Sequence, residues 1–358
     1  MRILNLSLDK GILERDSAVQ KRLISLAEKV GTITVLVPTG RDAAQAISPH
    51  LFVYAVGGSK LIQLLKIGRL SRLLSKNGQK PDVVTVQDIY FLGFIACKLS
   101  RALGAPLEVQ VHGLEKFSGI RKLVAGFVLQ RAHRVRIVSK RLRDFLTSNF
   151  QLPTSKLYIL PVYTHIEPAE KAYKRKTVPV PFTFLTVGRL VPVKNIGMQI
   201  RAIAELSKRM PNIRLRVVGE GPLLEQLKLE ARSSKLEDKI LFEGYQKDLG
   251  RYYQEADAFL LTSDSEGWGR VVLEAASYSL PIIMTDVGLA REVIKNNESG
   301  FIIRVGDEHE LLLAMKEFVD KPELRERLGK GAFAAFQKLP KSDEQIRRQI
   351  EAWQSLTP

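Results

Sequence analysis

Residues Ser263 to Ile283 read SDSEGWGRVVLEAASYSLPII and follow an apolar run, Ala256, Ala258, Phe259, Leu260 and Leu261, that ends in Thr262 and Ser263. A buried parallel strand, a Gly-containing loop and a helix from about Arg270 are the expected elements. Such a junction suits an anion, because free backbone N–H groups and the helix dipole point at whatever sits there. Glu266 and Glu274 lie eight positions apart, with Gly267 and Gly269 just after the first carboxylate. Glu266 on the loop can hold hydroxyls of a group attached to a phosphate. Glu274, a little over one helical turn inside, can reach a ribose diol. The pattern suits a nucleotide carrying a polyhydroxy group on its phosphate.

Two carboxylates with seven residues between them, and Gly-Trp-Gly directly after the first, resemble the donor-site signature of family-4 retaining glycosyltransferases, the glycosyl transferases group 1. Other stretches match that family in order. Leu185 to Asn195 (LTVGRLVPVKN) resembles its strand-Gly-Arg-x5-Lys phosphate loop, with Arg189 and Lys194 in the cationic places. Arg216 to Pro222 (RVVGEGP) resembles the next strand and base-side turn, and Leu241 to Leu261 with Gly288 to Ile294 (GLAREVI) completes the order. The likeness covers nearly all of residues 182 to 305. It implies a GT-B fold: two Rossmann-like, doubly wound α/β domains facing across a cleft, with a C-terminal helix crossing back to the first.

Length and composition agree with two domains. The 358 residues are 45% hydrophobic, enough for two cores and unlike a disordered or collagen-like chain. One cysteine, Cys97, excludes an internal disulfide and a Cys-rich zinc site, and fits a reducing compartment. No signal peptide is read at the N-terminus, where Asp9 and Lys10 break a short apolar run, and no apolar stretch reaches spanning length. A cytoplasmic protein, or one peripheral on the cytoplasmic face of a membrane, is expected.

Charge is distributed unequally. Residues 1 to 176 carry 29 Lys+Arg against 12 Asp+Glu, whereas residues 177 to 358 carry 26 of each. The whole net charge of +17 therefore sits in the first half, which implies an anionic surface as partner, lipid headgroups or nucleic acid. Lys60 to Lys80 and Glu115 to Arg136 are basic amphipathic segments of the kind that lie on anionic membranes. Each taken alone also fits an ordinary sheet-covering helix.

The first half alternates strand-like runs (Ile3 to Leu6, Ile33 to Val37, Val83 to Val86, Leu107 to Val111, Val135 to Val138) with helical ones (Ser17 to Lys29, Ser59 to Lys76, Leu92 to Leu103). The second repeats the alternation, with strands at Phe184 to Val187, Leu215 to Val218, Ile240 to Phe242, Ala258 to Leu261 and Pro281 to Met284. Expected domains are 1–170 with 342–358 for the acceptor side, a linker at 171–181 within the basic, Pro-bearing Glu170 to Pro181, and 182–341 for the nucleotide sugar. Ser342 to Leu356 is amphipathic and opens with Ser-Asp-Glu, a capping signal.

Arg189 and Lys194 can clamp a diphosphate from two sides and offset charge on the leaving phosphate. Gly188, Gly219, Glu220, Gly267, Trp268, Gly269 and Glu274 complete the expected donor site, with Glu266 contacting the sugar. His112 ends a strand before Gly113 and matches the family's cleft histidine; with Glu266, Arg189 and Lys194 it forms the expected catalytic set. Asp88, Gly11 and Ser139 are candidates for the acceptor side. The loop Ser7 to Ser17 (SLDKGILERDS) departs from the Gly-rich turn of relatives. No Asp-x-Asp triplet is present, so neither metal nor cofactor is expected and the two cations stand in for metal charge.

The expected activity is retaining, metal-independent hexosyl transfer from a UDP- or GDP-sugar to a hydroxyl of a glycan or glycolipid, in cell-envelope polysaccharide or glycolipid synthesis. Nucleic acid is not an expected partner. Two other readings stay open: a nucleotide-sugar-binding GT-B protein with epimerase, phosphorylase or lectin-like behaviour, and a basic nucleic-acid-binding protein.

Overall fold

The computed structural model describes residues 1–113, 119–161, 166 and 181–357. The chain divides into two compact units, Met1–Tyr163 with Lys341–Pro358, and Thr164–Pro340. The expected linker lies outside the described residues apart from Pro181, as does the start of the Glu115 segment.

The first unit holds eight strands: β1 (Arg2–Leu6), β2 (Thr32–Pro38), β3 (Ala43–Ser48), β4 (Leu51–Val56), β5 (Val83–Val86), β6 (Leu107–Val111), β7 (Arg134–Ile137) and β8 (Leu157–Ile159). They lie in the order β3-β4-β2-β1-β5-β6-β7-β8, parallel except for β3, which pairs antiparallel with β4. The strands β1 and β5 to β7 were legible as short apolar runs. The hairpin β3–β4 was not: the edge strand AAQAIS is largely exposed and carries no alternating apolar pattern. Strand order reverses between β1 and β5, so the carboxyl ends of these strands and their neighbours mark the crevice of this sheet.

The helix Ser342–Gln354 belongs to the first unit, as the crossing-back helix of the resemblance should. Trp353, 2% exposed, packs with Ile3, Leu23, Ile33 and Val83, and its indole N–H donates to Glu108 Oε1 at 3.0 Å. Gln349 Nε2 donates to the same carboxylate at 3.2 Å. Burial raises the Glu108 pKa, while Arg136, Trp353, Gln110 and Arg134 act to lower it. The polar stripe of β6 thus anchors the helix. One expectation needs correcting: the capping position of this helix is Lys341, which makes no side-chain cap, and Asp343 instead pairs with Lys29 at 2.6 Å. The chain enters from Pro340, so the helix begins one residue before the capping signal would place it.

The second unit holds β9 (Phe182–Val187), β10 (Ile213–Val218), β11 (Ile240–Gly244), β12 (Ala258–Leu261), β13 (Ile282–Thr285) and β14 (Phe301–Ile303). All pair parallel, in the order β11-β10-β9-β12-β13-β14. These strands are apolar because helices such as Ile196–Ser207 and Glu308–Asp320 cover the sheet; Phe184, Leu215, Leu260, Ile203 and Phe318 share one core. Here the order reverses between β9 and β12. The two loops that leave their carboxyl ends, Gly188 to Asn195 and Thr262 to Gly269, carry Gly188, Arg189, Lys194, Glu266, Gly267, Trp268 and Gly269 of the expected donor site.

Candidate active site

Lys194 and Glu266 meet at this switch point. Lys194 Nζ lies 2.5 Å from Glu266 Oε1, with side chains 21% and 13% exposed. The same carboxylate oxygen accepts from the Ser263 hydroxyl at 2.8 Å. The two loops are joined through backbone and buried side chains. Asp264 N donates to Val193 O (2.8 Å), and Asn195 Nδ2 donates to Asp264 Oδ1 (3.2 Å). The Thr262 hydroxyl donates to the carbonyls of Lys194 and Asn195 and receives Gln199 Nε2 at 2.8 Å. Thr262 is 1% exposed and Gln199 fully buried, so the Lys194 backbone is fixed from below. Arg189 is exposed on the same loop. A cation held against a carboxylate beside an exposed guanidinium can exchange that carboxylate for a phosphate.

Glycines set how closely the loops approach. A Cβ on Gly219 would fall 2.0 Å from Gly188 O, and one on Gly221 2.4 Å from Leu190 O. Gly219, with φ 136°, also donates its N–H to Gly244 O at 2.8 Å. The turn after β10 therefore lies directly on the phosphate loop, a contact only glycine permits. Glu220 is exposed and accepts from Tyr245 N at 3.2 Å. Gly288, with φ 56°, fills the same role on the other side: its Cβ would meet Trp268 O at 2.6 Å and Glu266 Cβ at 3.0 Å.

Gly267 is partly exposed and Gly269, with φ 91°, caps the helix Arg270–Ser277 without a side-chain bond. Trp268 is 7% exposed, and its carbonyl accepts from Leu289 N. Glu274 is 16% exposed and held at both oxygens: Arg270 Nε donates to Oε1 at 2.8 Å and Tyr253 OH to Oε2 at 2.9 Å. Burial and the adjacent Glu274 carboxylate push the Tyr253 pKa well up, which keeps the phenol a donor. A carboxylate fixed this way can present its remaining lone pairs to a diol.

In the first unit His112 follows β6 at the carboxyl edge. Its Nε2 is buried without a hydrogen-bond partner among the described residues. Burial pushes its pKa down to about 3, and the nearby Arg136 and Arg22 add to the shift. The imidazole is therefore neutral. It lines a cavity of about 60 Å³ with Arg22, Arg136, Gln110 and Asn5. Three other candidates hold local structure. Asp88 Oδ1 accepts from Leu92 N at 2.6 Å, in the first turn of the helix Phe91–Leu103. Ser139 Oγ accepts from Leu142 N at 3.1 Å and caps Lys140–Phe150. Gly11 donates its N–H to Asp9 Oδ1 and accepts the Ser17 hydroxyl on its carbonyl, tying the atypical loop to itself. Among the described residues no three His, Cys, Asp or Glu side chains gather as a metal site.

Residues 170–335 match the family described as glycosyl transferases group 1, and residues 24–162 match glycosyltransferase family 4. The chain belongs to this glycosyltransferase family. Among curated relatives, an alpha-D-kanosaminyltransferase of Streptomyces kanamyceticus is 25% identical over 65% of this chain and 66% of its own length. A Campylobacter jejuni N-acetylgalactosaminyltransferase that acts on a diphospho-undecaprenol-linked sugar is 27% identical over 58% of this chain and 56% of its own length. An uncharacterized Haemophilus influenzae glycosyltransferase is 27% identical over 49% of this chain and 48% of its own length, so the chain spans about half to two thirds of these three relatives. Among solved structures, sucrose-phosphate synthase of Thermosynechococcus elongatus superposes with TM-score 0.82 at 18% identity, covering 99% of both chains. Anabaena HepE in complex with UDP-glucose gives 0.78 at 19% identity, again over 99% of both. These structural likenesses establish the GT-B fold.

Within the family frame, sequence reading missed the residues that hold the motif residues in place. Ser263, Thr262, Gln199 and Tyr253 are polar side chains inside apolar surroundings; Tyr253 lies 21 residues before its partner Glu274. The available signal was their burial-incompatible chemistry, which asks for a partner. It does not name one.

Proposed function

We infer that this chain is a retaining, metal-independent hexosyltransferase that moves a sugar from a UDP- or GDP-sugar to a hydroxyl of a glycan or glycolipid. The Lys194–Glu266 pair at the second sheet's switch point carries the reading. Lys194 and Arg189 would hold the diphosphate with loop amides, Glu266 the sugar hydroxyls and Glu274 the ribose. As the anomeric carbon leaves the diphosphate oxygen, the two cations offset the negative charge that collects there. The acceptor oxygen bonds to the anomeric carbon on the same face, and its proton passes to the departing diphosphate. No covalent enzyme intermediate forms. The named lipid-linked chemistry of the Campylobacter relative supports a cell-envelope acceptor. The basic first unit supports a peripheral site at an anionic membrane surface, and no described helix is long and apolar enough to cross one.

The test is a thermal-shift panel of UDP, GDP, ADP and TDP sugars with and without EDTA. A shift by one nucleotide class that survives EDTA, followed by transfer of that sugar to lipid-linked acceptors, is the expected result. A shift abolished by EDTA would overturn the metal-free clamp, and no shift by any of them would overturn the donor site.

A further inference from the structure

Three consecutive helices of the first unit, Lys60–Leu74, Phe91–Leu103 and Gly119–Arg131, pack side by side. Together they carry nine Lys and Arg and no Asp or Glu. The neighbouring helices Ala18–Val30 and Lys140–Phe150 both carry acids, so the acid-free run is specific to these three. Of the nine cations, Lys66 pairs with Asp42; among the described residues no carboxylate pairs with the others. Four of them lie over aromatic rings instead: Lys60 is 5.9 Å from the Phe91 centroid, Lys98 4.7 Å from that of Phe94, Arg121 5.0 Å from that of Tyr90 and Arg131 3.6 Å from that of Phe127.

Large apolar side chains stand exposed among these cations. Leu61 is 67% exposed, Leu65 65%, Ile120 79% and Leu123 74%. Leu61 and Leu65 are one helical turn apart, as are Ile120 and Leu123, so each pair projects from one side of its helix. Next to the ring stacks, a groove of about 700 Å³ is lined by Lys98, Arg101, Arg131, Phe94 and Phe127, with no acid in its wall.

We propose that this three-helix face docks on a bilayer containing anionic phospholipid, deepening the membrane reading given under the proposed function. Leu61, Leu65, Ile120 and Leu123 enter the headgroup–acyl boundary, where apolar surface leaves water, while the surrounding cations meet lipid phosphates. Charge complementarity selects this occupant. Pairing with a second copy would set nine cations against nine. A nucleic acid backbone would meet the cations but leave the projecting aliphatic side chains against phosphate and sugar.

The test is sedimentation of the whole chain with vesicles of phosphatidylcholine alone and of equal parts phosphatidylcholine and phosphatidylglycerol. Strong binding to the mixed vesicles only, weakening as salt is raised, is expected. The variant Arg69→Gln/Arg72→Gln/Lys122→Gln should lose about two orders of magnitude in partition, roughly fivefold per cation. Leu61→Asp/Leu123→Asp should lose at least about tenfold. All five side chains are exposed, so folding is retained. Equal binding to both vesicles, or to neither, overturns the proposal. So does duplex DNA that displaces the vesicles with the charge variants affected and Leu61→Asp/Leu123→Asp unaffected, or a dimer that Leu61→Asp/Leu123→Asp dissociates. The nucleotide thermal shift, measured on the same samples, reports the donor site separately: its absence from the wild type counts against the transferase reading, whatever the vesicles do.

Discussion

Separating the two halves of the Lys194–Glu266 pair tests the site most directly. At 2.5 Å and an effective dielectric near 20 the Coulomb attraction is about 6–7 kcal/mol. Desolvation of both ions opposes it, and a half-buried, hydrogen-bonded charge pair nets about 1.5–3 kcal/mol. Lys194→Met leaves Glu266 with the Ser263 hydroxyl alone, so the second unit should lose about 2–3 kcal/mol in urea unfolding. Glu266→Gln keeps shape and a hydrogen-bond acceptor and should cost about 1 kcal/mol. Calorimetry with a nucleoside diphosphate should divide the variants by sign. Lys194→Met removes a charge-assisted phosphate contact and should weaken binding about 10- to 100-fold. Glu266→Gln releases Lys194 from its carboxylate, so the diphosphate should bind at least as tightly as to the wild type while transfer is lost. If both variants weaken the diphosphate equally, or Lys194→Met leaves it unchanged, the exchange of carboxylate for phosphate is wrong.

Further outcomes follow from other contacts. Tyr253→Phe removes the 2.9 Å bond to Glu274 and should cost about 1 kcal/mol, with nucleoside affinity down severalfold, measured by calorimetry. Gly288→Ala drives a Cβ to 2.6 Å from Trp268 O beside Glu266; donor binding should fall more than stability, checked by titrating sugar nucleotide against unfolding. His112 is neutral in the folded chain down to about pH 3, against 6.5 for the ordinary group. Its contribution is present above 6.5 and lost as pH falls toward 3, in total about 4–5 kcal/mol by linkage, and His112→Gln should flatten unfolding free energy against pH in that window. Glu108 acts with the opposite sign: burial raises its pKa, so its contribution is present at low pH and lost as pH rises through the folded value, and Glu108→Gln should remove that loss.

What the sequence by itself determined is the part written in local pattern. Apolar runs of four to six residues separated by helix-length amphipathic stretches specify a doubly wound sheet wherever both faces are covered, and β5, β6 and β12 were legible to the residue. Glu266, Glu274, Arg189 and Lys194 were singled out by spacing alone, the first two with seven residues between them and the last two with four. What tertiary structure alone decided is who touches whom across the sheet order. Strand order brings β12 beside β9, 72 residues apart at Lys194 and Glu266, and no local rule sets that distance. It also shows what Asp88 and Ser139, singled out by their strand-end positions, hold locally: their side-chain oxygens accept from Leu92 N and Leu142 N at the starts of the following helices. Strand-to-helix turns place the same residue type at a cap or in a site, and only the direction of the side chain distinguishes them. The edge strand β3 escaped for the converse reason: largely exposed and built mostly from Ala, Gln and Ser, it is a strand because β4 lies beside it, and pairing is a property of two segments.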